Sequence, residues 1–533
     1  MPIRATRSPP RSPASDGTGA VGPSPTFPPL FAATCGRQAD RTALVDGNLR
    51  LSFAEWFARS ETLAAAMRHL GIQRGDVVSF QLPNWWEAAV VFCATARLGA
   101  IANPILPIFR ERELEFVLRQ SEARLLFIPE TFRNVDYPAL VDRIHPRTPA
   151  LEHVVRVRDR AGAGFQSLLG TPRHVPDCEI DPADLLLLMY TSGTTAAAKG
   201  VLHTHATLVS EVRSLQRVHS LTPADSTLMP SPLTHISGVL HGIMTPAILG
   251  TRAVLMERWD AAAASLSIER EGITYMVGAP VFLQGLIAAR SPERRHGLRL
   301  FSCGGASVSA DLMREANATL GCVAKRVYGS TEFPTMTTTS AEDAHSHGIC
   351  TEGRPIPPNQ LRIIGSDGAE LATGQSGEIQ ARGPECFVGY VDAQMNDDAF
   401  TADGWFRTGD LGRIDADGYL TVTGRLKQIV IRKGEKISIL EVETMIASHP
   451  AVIDVCLVGI ADADVGERAC AAVVSRDRGL GAKALLAFLR EKGLAPHKLP
   501  ERLTFLSELP RTDSGKVHRA AVSAMFEAQA ERS

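Results

Sequence analysis

Apolar and polar residues alternate along the chain in short blocks that predict a succession of strands and helices. Apolar runs at 76–82 and 185–190 have the length of buried strands. Ser52 and Glu55 have the spacing of a helix N-terminal cap, and residues 86–98 predict a further helix. Strands that alternate with helices in this way favour layered α/β structure.

The pattern changes after Gly353, where short strands, glycines and turns dominate. We interpret this part as a β-rich subdomain that ends a large N-terminal domain. A smaller α/β unit follows, with helices predicted at 440–448 and 482–491 and strands at 452–459 and 470–475. The predicted fold class is therefore α/β, with a large N-terminal domain of several subdomains and a small C-terminal domain.

A chain of 533 residues is too long for one hydrophobic core and predicts at least two domains. Residues 1–29 are rich in proline, serine, glycine and arginine, which predicts a disordered tail rather than a secretory signal. We place the large domain at 30–425 and the small one at 426–533. This boundary follows the motif that begins at Gly424.

Composition narrows the class of protein. Hydrophobic residues make up 44% of the chain and the net charge is −2, so no basic excess predicts a nucleic-acid partner. The nine cysteines lack Cys-x-x-Cys spacing, which favours reduced thiols and a cytoplasmic location over zinc or a redox dithiol. Uncharged stretches at 228–250 and 272–289 contain proline and glycine, and we interpret them as buried elements, not transmembrane segments. The sequence makes no prediction of oligomeric state.

A hydroxyl-rich segment follows the apolar run that ends at Tyr190. A loop between a strand and a helix can offer backbone N–H groups and hydroxyls to phosphate. The candidate phosphate-binding residues are Thr191, Ser192, Gly193, Thr194, Thr195 and Lys199. Because Lys199 precedes Gly200, the segment is not a Walker A loop, which disfavours a P-loop kinase or GTPase. Alone, it is also compatible with a solvated loop of serines and threonines.

Further motifs follow along the chain. They are PLTHISG (232–238), CGGA (303–306), YGSTE (328–332), GWFRTGD (404–410), GRLK (424–427), GEKIS (434–438) and PRTDSGK (510–516). In this order, and together with the phosphate loop, they resemble the motifs of the adenylate-forming enzymes, which include acyl-CoA synthetases, luciferases and nonribosomal adenylation domains. The resemblance runs from about Phe27 to the C-terminus. It implies an α/β adenylation domain with a mobile C-terminal domain, and ATP-dependent activation of a carboxylic acid with release of pyrophosphate.

The resemblance implies the residues that act on the reacting groups. Lys516 would contact the substrate carboxylate and the α-phosphate, where two anions meet and their charge must be neutralised. Glu332 would hold Mg²⁺, since a carboxylate beside phosphate needs a cation. Thr331 would contact the α-phosphate. His235 would lie near the acyl group or the pantetheine path, although the sequence is nearly as compatible with a core histidine.

The same resemblance implies the nucleotide contacts. Tyr328 would stack on adenine, Asp410 would accept hydrogen bonds from both ribose hydroxyls, and Arg425 would provide a second ribose contact. The small residues that would run beside adenine and the acyl carboxylate are Gly304, Gly305 and Ala306.

The acceptor side of the reaction is also implied by the resemblance. Lys427 would be the hinge about which the small domain rotates between two half-reactions. Lys433 and Gly434 would then flank the pantetheine of CoA. The expected cofactors are therefore ATP, Mg²⁺ and CoA, and the expected partner is a carboxylic acid substrate.

Two alanines depart from the family pattern. Ala196 and Ala198 stand where glycine and proline are common, and this difference could loosen pyrophosphate binding. A catalytically weakened ATP-binding homologue is therefore one alternative, and an acyl-AMP ligase that passes the acyl group to a carrier protein is another. Gln428 stands where an aspartate is common, but the charged residues Lys199, Glu332, Asp410, Arg425 and Lys516 all remain, which favours an active acyl-CoA synthetase.

The pocket segments carry no acidic residue that could pair with an amino-acid substrate. Residues 236–240 and 277–282 are uncharged, so an apolar acyl group is favoured, and an aryl acid stays open. The region around 103–114 and the pocket segments resemble short- to medium-chain fatty acid and cyclohexanecarboxylate-type CoA ligases.

Overall fold

The structure is a computed structural model. It describes residues 25–162, 164–170, 178–191, 198–290, 297–306, 308–426, 429–432, 435–462, 465–512 and 516–530. Helices and strands are numbered below in chain order.

The strands up to residue 425 carry most of the motifs. They are β1 (Thr42–Asp46), β2 (Leu49–Ser52), β3 (Val77–Phe80), β4 (Ile101–Pro104), β5 (Leu125–Pro129), β6 (Thr131–Phe132), β7 (Val135–Asp136), β8 (His153–Val157), β9 (Leu185–Thr191), β10 (Lys199–Thr204), β11 (Ser226–Met229), β12 (Arg252–Leu255), β13 (Tyr275–Gly278), β14 (Leu300–Gly304), β15 (Val323–Tyr328), β16 (Thr337–Thr338), β17 (Arg354–Pro355), β18 (Gln360–Ile364), β19 (Gly377–Arg382), β20 (Gly389–Tyr390), β21 (Phe406–Ile414) and β22 (Leu420–Arg425). The later strands are β23 (Ile429–Arg432), β24 (Glu435–Ser438), β25 (Val452–Asp462), β26 (Gly466–Ser475) and β27 (Arg502–Leu506).

Helices cover the sheets. They are α1 (Phe27–Arg37), α2 (Phe53–His69), α3 (Trp86–Arg97), α4 (Glu111–Ser121), α5 (Tyr137–Ile144), α6 (Phe165–Leu168), α7 (His205–His219), α8 (Ile236–Gly238), α9 (Thr245–Leu249), α10 (Ala261–Arg270), α11 (Pro280–Ala288), α12 (Ala310–Leu320), α13 (Gln394–Ala399), α14 (Ile439–Ala447), α15 (Ala482–Glu491) and α16 (Arg519–Ala530). A π-helical turn, Val239–Met244, joins α8 to α9.

Two mixed sheets form the centre of the large domain. One has the strand order β17-β16-β15-β14-β13-β11-β12-β1-β2, and the other β20-β10-β9-β4-β3-β5-β8. One hydrophobic core joins residues from both sheets, among them Leu44 of β1, Leu187 of β9 and Leu208 of α7. Each such side chain contributes about 1.5–3 kcal/mol on full burial. The motifs on the two sheets are therefore carried by one packed scaffold.

The chain leaves this scaffold through an antiparallel sheet of order β18-β19-β21-β22 and then enters a five-stranded sheet. In the latter, β24, β23, β26 and β25 lie side by side and β27 pairs with β26. The passage from one sheet to the other falls between Arg425 and Ile429, the segment in which the sequence predicts the domain boundary. The α/β fold with a large N-terminal and a small C-terminal domain is confirmed.

Local sequence signals account well for the start of α2. Ser52 Oγ accepts a hydrogen bond from the Glu55 N–H at 3.1 Å, and Glu55 Oε2 accepts one from the Ser52 N–H at 2.8 Å. This reciprocal pair is the capping box that the spacing predicts, so the prediction is confirmed.

The predicted tail 1–29 is wrong at its C-terminal end, because α1 begins at Phe27. Phe27 has no exposed surface and contacts the rings of Phe31 and Phe92. The prolines that follow it stand in the first helical turn, where a missing N–H costs nothing. Residues 1–24 lie outside the described part of the chain.

All nine cysteines are free thiols. Seven are buried, Cys178 is partly exposed, and Cys350 is exposed. Within the residues that the structure describes, no helix has the length and apolar character needed to cross a bilayer.

Candidate active site

Two antiparallel strands flank the segment that the sequence predicts to bind phosphate. β9 and β10 are antiparallel, and Lys199 lies opposite Thr191. The predicted order of strand, loop and helix is wrong at this point, because residues 199–204 form a strand that also pairs with β20 before α7 begins. Ala198 is partly buried against the core. The predicted contacts Ser192, Gly193, Thr194 and Thr195, with Ala196, lie outside the described residues.

Lys199 and Glu332 meet at one tyrosine. The Lys199 ammonium lies over the Tyr390 ring, 4.9 Å from its centre, and the Tyr390 hydroxyl donates a hydrogen bond to Glu332 Oε1 at 2.8 Å. Val201 is the cross-strand partner of Tyr390, which makes Lys199 its diagonal neighbour. This strand pairing thus brings the cation that the sequence assigns to phosphate next to the carboxylate that it assigns to the metal.

A buried histidine, His203, holds the backbone of the Tyr328–Glu332 motif in place. His203 Nε2 donates to the Thr331 carbonyl at 2.8 Å, and its Nδ1 lies 3.1 Å from Thr207 Oγ1. Burial lowers the pKa of His203 to about 4, so this ring is neutral at physiological pH. The Thr331 side chain stays partly exposed, in reach of a ligand.

Asp410 is the centre of a second group of polar residues. It lies directly opposite Arg425 in the pairing of β21 with β22, and Arg425 Nε donates to Asp410 Oδ1 at 2.6 Å. The Tyr328 hydroxyl donates to Asp410 Oδ2 at 2.7 Å. Asp410 is only 4% exposed, whereas the Arg425 side chain is about half exposed. The three predicted nucleoside contacts therefore form one hydrogen-bonded unit.

The small residues after β14 allow close backbone approach. Gly304 pairs with Val327, and a Cβ at Gly304 would lie 2.4 Å from the Val327 carbonyl oxygen. Gly305 has φ of +77°, a conformation that favours glycine. Gly305 and Ala306 are both exposed. This strand end is thus a bare backbone surface open to a ligand.

Lys516 reaches the same place from the small domain. A Cβ at Gly305 would lie 3.8 Å from Lys516 Cε. Surrounding protein lowers the pKa of Lys516, an effect to which Arg425 adds and which Glu332 opposes. The side chain is nevertheless exposed, which places it at the wall of an open cleft and not in the core. Lys516, Glu332, Arg425 and Gly305 therefore converge.

His235 faces the same cleft. Its Nδ1 lies 3.0 Å from Ser237 Oγ and accepts the Ser237 N–H at 3.4 Å, which caps the start of α8. Burial lowers the pKa of His235 to about 3, and Lys516 adds to that effect. The ring is therefore neutral, with a fixed orientation. Lys427, Lys433 and Gly434 lie outside the described residues, so their roles stay predictions.

A groove of about 530 Å³ runs past the His235 segment. Pro232 forms part of its wall, and two guanidinium groups, of Arg133 and Arg258, lie on it. Both are near the Phe132 ring, at 5.2 and 6.0 Å from its centre. Ile108, also on the wall, is 38% exposed. The groove thus combines the two arginines with apolar side chains and with the Glu257 carboxylate, which lies 3.9 Å from Arg258 Nε.

Three residues that the sequence interpretation missed hold the site together. Tyr390 and His203 fix Glu332 and Thr331, as described above. Asn84 donates to the Met229, Ser231 and Met256 carbonyls and accepts the Leu233 N–H at 2.7 Å. It thereby ties the end of β3 to the segment before His235. A Pro-Asn pair directly after a buried strand was the signal available for Asn84.

Comparisons with known proteins match almost the whole chain. The family model described as AMP-binding enzyme matches residues 31–391, and that described as AMP-binding enzyme C-terminal domain matches 441–516. The medium-chain fatty-acid–CoA ligase of Escherichia coli (strain K12) is 33% identical over 492 residues, covering 90% of this chain and 87% of that protein.

Other relatives differ in the acid or acceptor that they are named for. The 2,3-dihydroxybenzoate-AMP ligase of Bacillus subtilis (strain 168) is 32% identical and covers 93% of each chain. The crystal structure of ATP-bound MatB from Rhodopseudomonas palustris superposes with a TM-score of 0.84 at 27% identity, covering 94% of this chain and 99% of that one.

Proposed function

The chain belongs to the AMP-binding enzyme family, and from this premise we propose that it is an acyl-CoA synthetase for an apolar fatty or alicyclic acid. It is a ligase that uses ATP to activate a carboxylic acid as an acyl adenylate. The proposal adds that the acyl group then passes to the thiol of CoA, with release of AMP.

One observation carries the assignment of the reacting residues, namely the convergence of Lys516 on Glu332, Arg425 and Gly305. In adenylation, a carboxylate oxygen bonds to the α-phosphorus while the bond from phosphorus to pyrophosphate breaks. Lys516 is the cation that would offset the charge of both reactants. The ammonium lies at the wall of an open cleft, where bound substrates would displace water and its field would act more strongly on the reacting atoms.

The residues present fit Mg²⁺ bound together with ATP. Among the described residues, no cluster of three or more His, Cys, Asp or Glu side chains could enclose a metal ion. Mg²⁺ commonly binds one or two carboxylates, phosphate oxygens and water. Glu332, oriented by Tyr390, would supply the carboxylate. When bound, the ion would neutralise phosphate charge.

The unit of Asp410, Arg425 and Tyr328 would hold the nucleoside. Each carboxylate oxygen of Asp410 accepts one hydrogen bond from a neighbour. Each oxygen has a further lone pair, so the two ribose hydroxyls could still donate hydrogen bonds to this carboxylate. The Tyr328 ring would lie beside adenine, and the bare backbone of Gly304 and Gly305 would allow close approach.

The groove beside His235 supports CoA as the acceptor. The nucleotide end of CoA carries a diphosphate and a 3′-phosphate, which Arg133 and Arg258 could pair. The pantetheine arm would follow the apolar wall past Pro232 toward Lys516. An acyl carrier protein would instead present a phosphopantetheine attached to a folded domain, with no adenosine to fill this groove.

An apolar acid is favoured by the segments around the pocket. Residues 236–240 and 277–282 carry no charge. A Cβ at Gly278 would lie 2.6 Å from Cδ2 of Phe282, so this part of the structure is tightly packed with apolar groups. Relatives named for aliphatic and for aromatic acids have similar sequence identity to this chain, 33% and 32%, so the choice among acids has to be measured.

The test is ATP-dependent thioester formation, measured by mass spectrometry with CoA and a panel of aliphatic, alicyclic, aromatic and amino acids. We expect acyl-CoA from an apolar acid. Pyrophosphate release without any CoA-dependent thioester would refute the acceptor and leave adenylation standing. Preference for an amino acid would refute the substrate class.

A double replacement, Arg133→Ala with Arg258→Ala, tests the groove. We expect KM for CoA to rise about tenfold, because both arginines are exposed and two ion pairs of roughly 0.7 kcal/mol each sum to about 1.4 kcal/mol. Pyrophosphate release should be unchanged. The control is Arg314→Ala, a surface arginine that pairs with Asp311 on its own helix. An unchanged KM for CoA would show that the nucleotide end of CoA does not bind in this groove.

A further inference from the structure

Two glutamates with no exposed surface lie side by side between α7 and the loop that follows β19. They are Glu211 and Glu385. Glu385 accepts a hydrogen bond from Asn359 Nδ2 at 2.6 Å and another from Ser214 Oγ. Neither oxygen of Glu211 has a hydrogen bond of normal geometry to a described residue. Its neighbours are Glu385 and Thr335.

This arrangement requires a proton. Two ionised carboxylates with no exposed surface repel each other strongly, and one of them then takes up a proton. Burial raises the pKa of Glu211 well above its usual range, the charge of Glu385 adds to the rise, and Thr335 opposes it. Burial also raises the pKa of Glu385, while Ser214 and Asn359 oppose that rise.

The charged neighbour of the pair is Arg217, on the same helix. It donates to Ser214 Oγ at 2.9 Å and to the Pro357 carbonyl at 3.0 Å, and it favours the ionised form of Glu385. Glu211 is therefore the protonated acid, and the ionised Glu385 accepts a hydrogen bond from it. The pair then carries one negative charge facing one arginine.

The pair adjoins the residues that orient the active site. Two positions after Glu385, the Phe387 N–H donates to the Glu332 carbonyl at 2.8 Å. Tyr390 then donates to the Glu332 carboxylate and lies under the Lys199 ammonium. A displacement of residues 385–390 would thus move Glu332 and Lys199 together.

We propose that Glu211 and Glu385 share one proton and act as positioning residues, holding the 385–390 segment so that Tyr390 keeps Glu332 and Lys199 in place for nucleotide binding. The inference rests on the proposed ATP site. Loss of the proton at alkaline pH sets two negative charges against each other, displaces the segment and weakens MgATP binding. Glu211→Gln supplies a permanent donor to Glu385, so its nucleotide affinity loses this dependence on pH.

The first test is MgATP affinity by calorimetry at about pH 7 and about pH 9, which needs no acid substrate. We expect Kd of the wild type to rise about tenfold over this range and that of Glu211→Gln to rise less than about threefold. Lys516 titrates in both proteins, so its contribution cancels in the comparison. Equal rises would overturn the inference. A wild type that binds no ATP would instead overturn the proposed function.

The second test is infrared spectroscopy of the protein without ligands at neutral pH. A buried protonated carboxyl gives a carbonyl band above the amide region that shifts in D₂O. We expect Glu211→Gln to remove one such band. The matched control is Glu87→Gln, because Glu87 is also buried but pairs with Arg158 at 2.8 Å, and this cation opposes the rise that burial causes in its pKa. Absence of the band from the wild type would overturn the shared proton.

Discussion

Replacing Lys516 with alanine removes the one cation that the small domain is seen to bring to the cleft, among the described residues. A group that stabilises charge developing at a reacting centre contributes about 2.7–4 kcal/mol, which corresponds to 10²–10³ in rate. The Lys516 side chain is exposed in this cleft, so water partly screens its charge and the lower half of that range applies. We expect pyrophosphate release to fall by about 10². Because Asp410 and Tyr328 remain, KM for ATP should change much less.

The assay follows the two half-reactions separately. Pyrophosphate release reports adenylation, and formation of thioester from a supplied acyl adenylate reports the second step, which should be far less affected. The control is Lys498→Ala, a lysine of the same domain that pairs with Glu441 at 2.7 Å. An equal loss in both half-reactions, or an equal loss in the control, would refute the reasoning. In the wild type, adenylation should also decline as pH rises, because deprotonated Lys516 has no charge to offer. Since the pKa of Lys516 is lowered, this decline should begin before pH reaches the usual lysine pKa of about 10.4.

Three further changes test the structure around the site. Burial lowers the pKa of Lys325 to about 7 in the folded protein. Above that pH the unfolded chain binds one more proton than the folded chain at this lysine. The free energy of unfolding therefore rises with pH, by about 1.4 kcal/mol per pH unit at most. Lys325→Met should abolish this contribution in denaturant unfolding measured from about pH 7 to 10, and a constant difference from wild type would contradict it. Asp410→Asn should raise KM for ATP about tenfold with little effect on the rate at saturation, and an unchanged KM would exclude a ribose contact. Gly304→Ala should cost about 1–3 kcal/mol of unfolding free energy because of its contact with Val327, whereas Gly36→Ala, with open space around it, should cost nothing measurable by the same denaturation.

Signals that lie within a few residues could be interpreted from the sequence. The capping box at Ser52 is one case, because its two hydrogen bonds join residues three apart. The strand β10 is the opposite case. Its residues, from Lys199 to Thr204, include only two strongly apolar side chains, and pairing with β9 and β20 stabilises the strand. A short pattern of this kind does not distinguish a strand from the start of a helix.

The partners of the candidate site residues could not be predicted, since they join distant parts of the chain. Tyr390 and Glu332 are 58 residues apart, and Asn84 and Leu233 are 149 apart. Motifs indicate which side chain acts on a ligand, but the groups that orient it follow from packing. Asp410 and Arg425 were predicted as separate ribose contacts, and only the pairing of β21 with β22 makes them a cross-strand ion pair.

The distribution of thiols has a practical consequence for following domain motion. Burial raises the pKa of the Cys93 and Cys303 thiols and keeps them in the unreactive protonated form. Cys350 is exposed and Cys178 only partly so. Replacing Cys178 with serine would therefore leave a single accessible attachment point for a fluorescent dye in the large domain. A second dye on a cysteine introduced in the small domain would allow single-molecule energy transfer between the two dyes of one chain to be measured. This transfer would report whether the two domains change their separation as ATP, acid and CoA are added in turn.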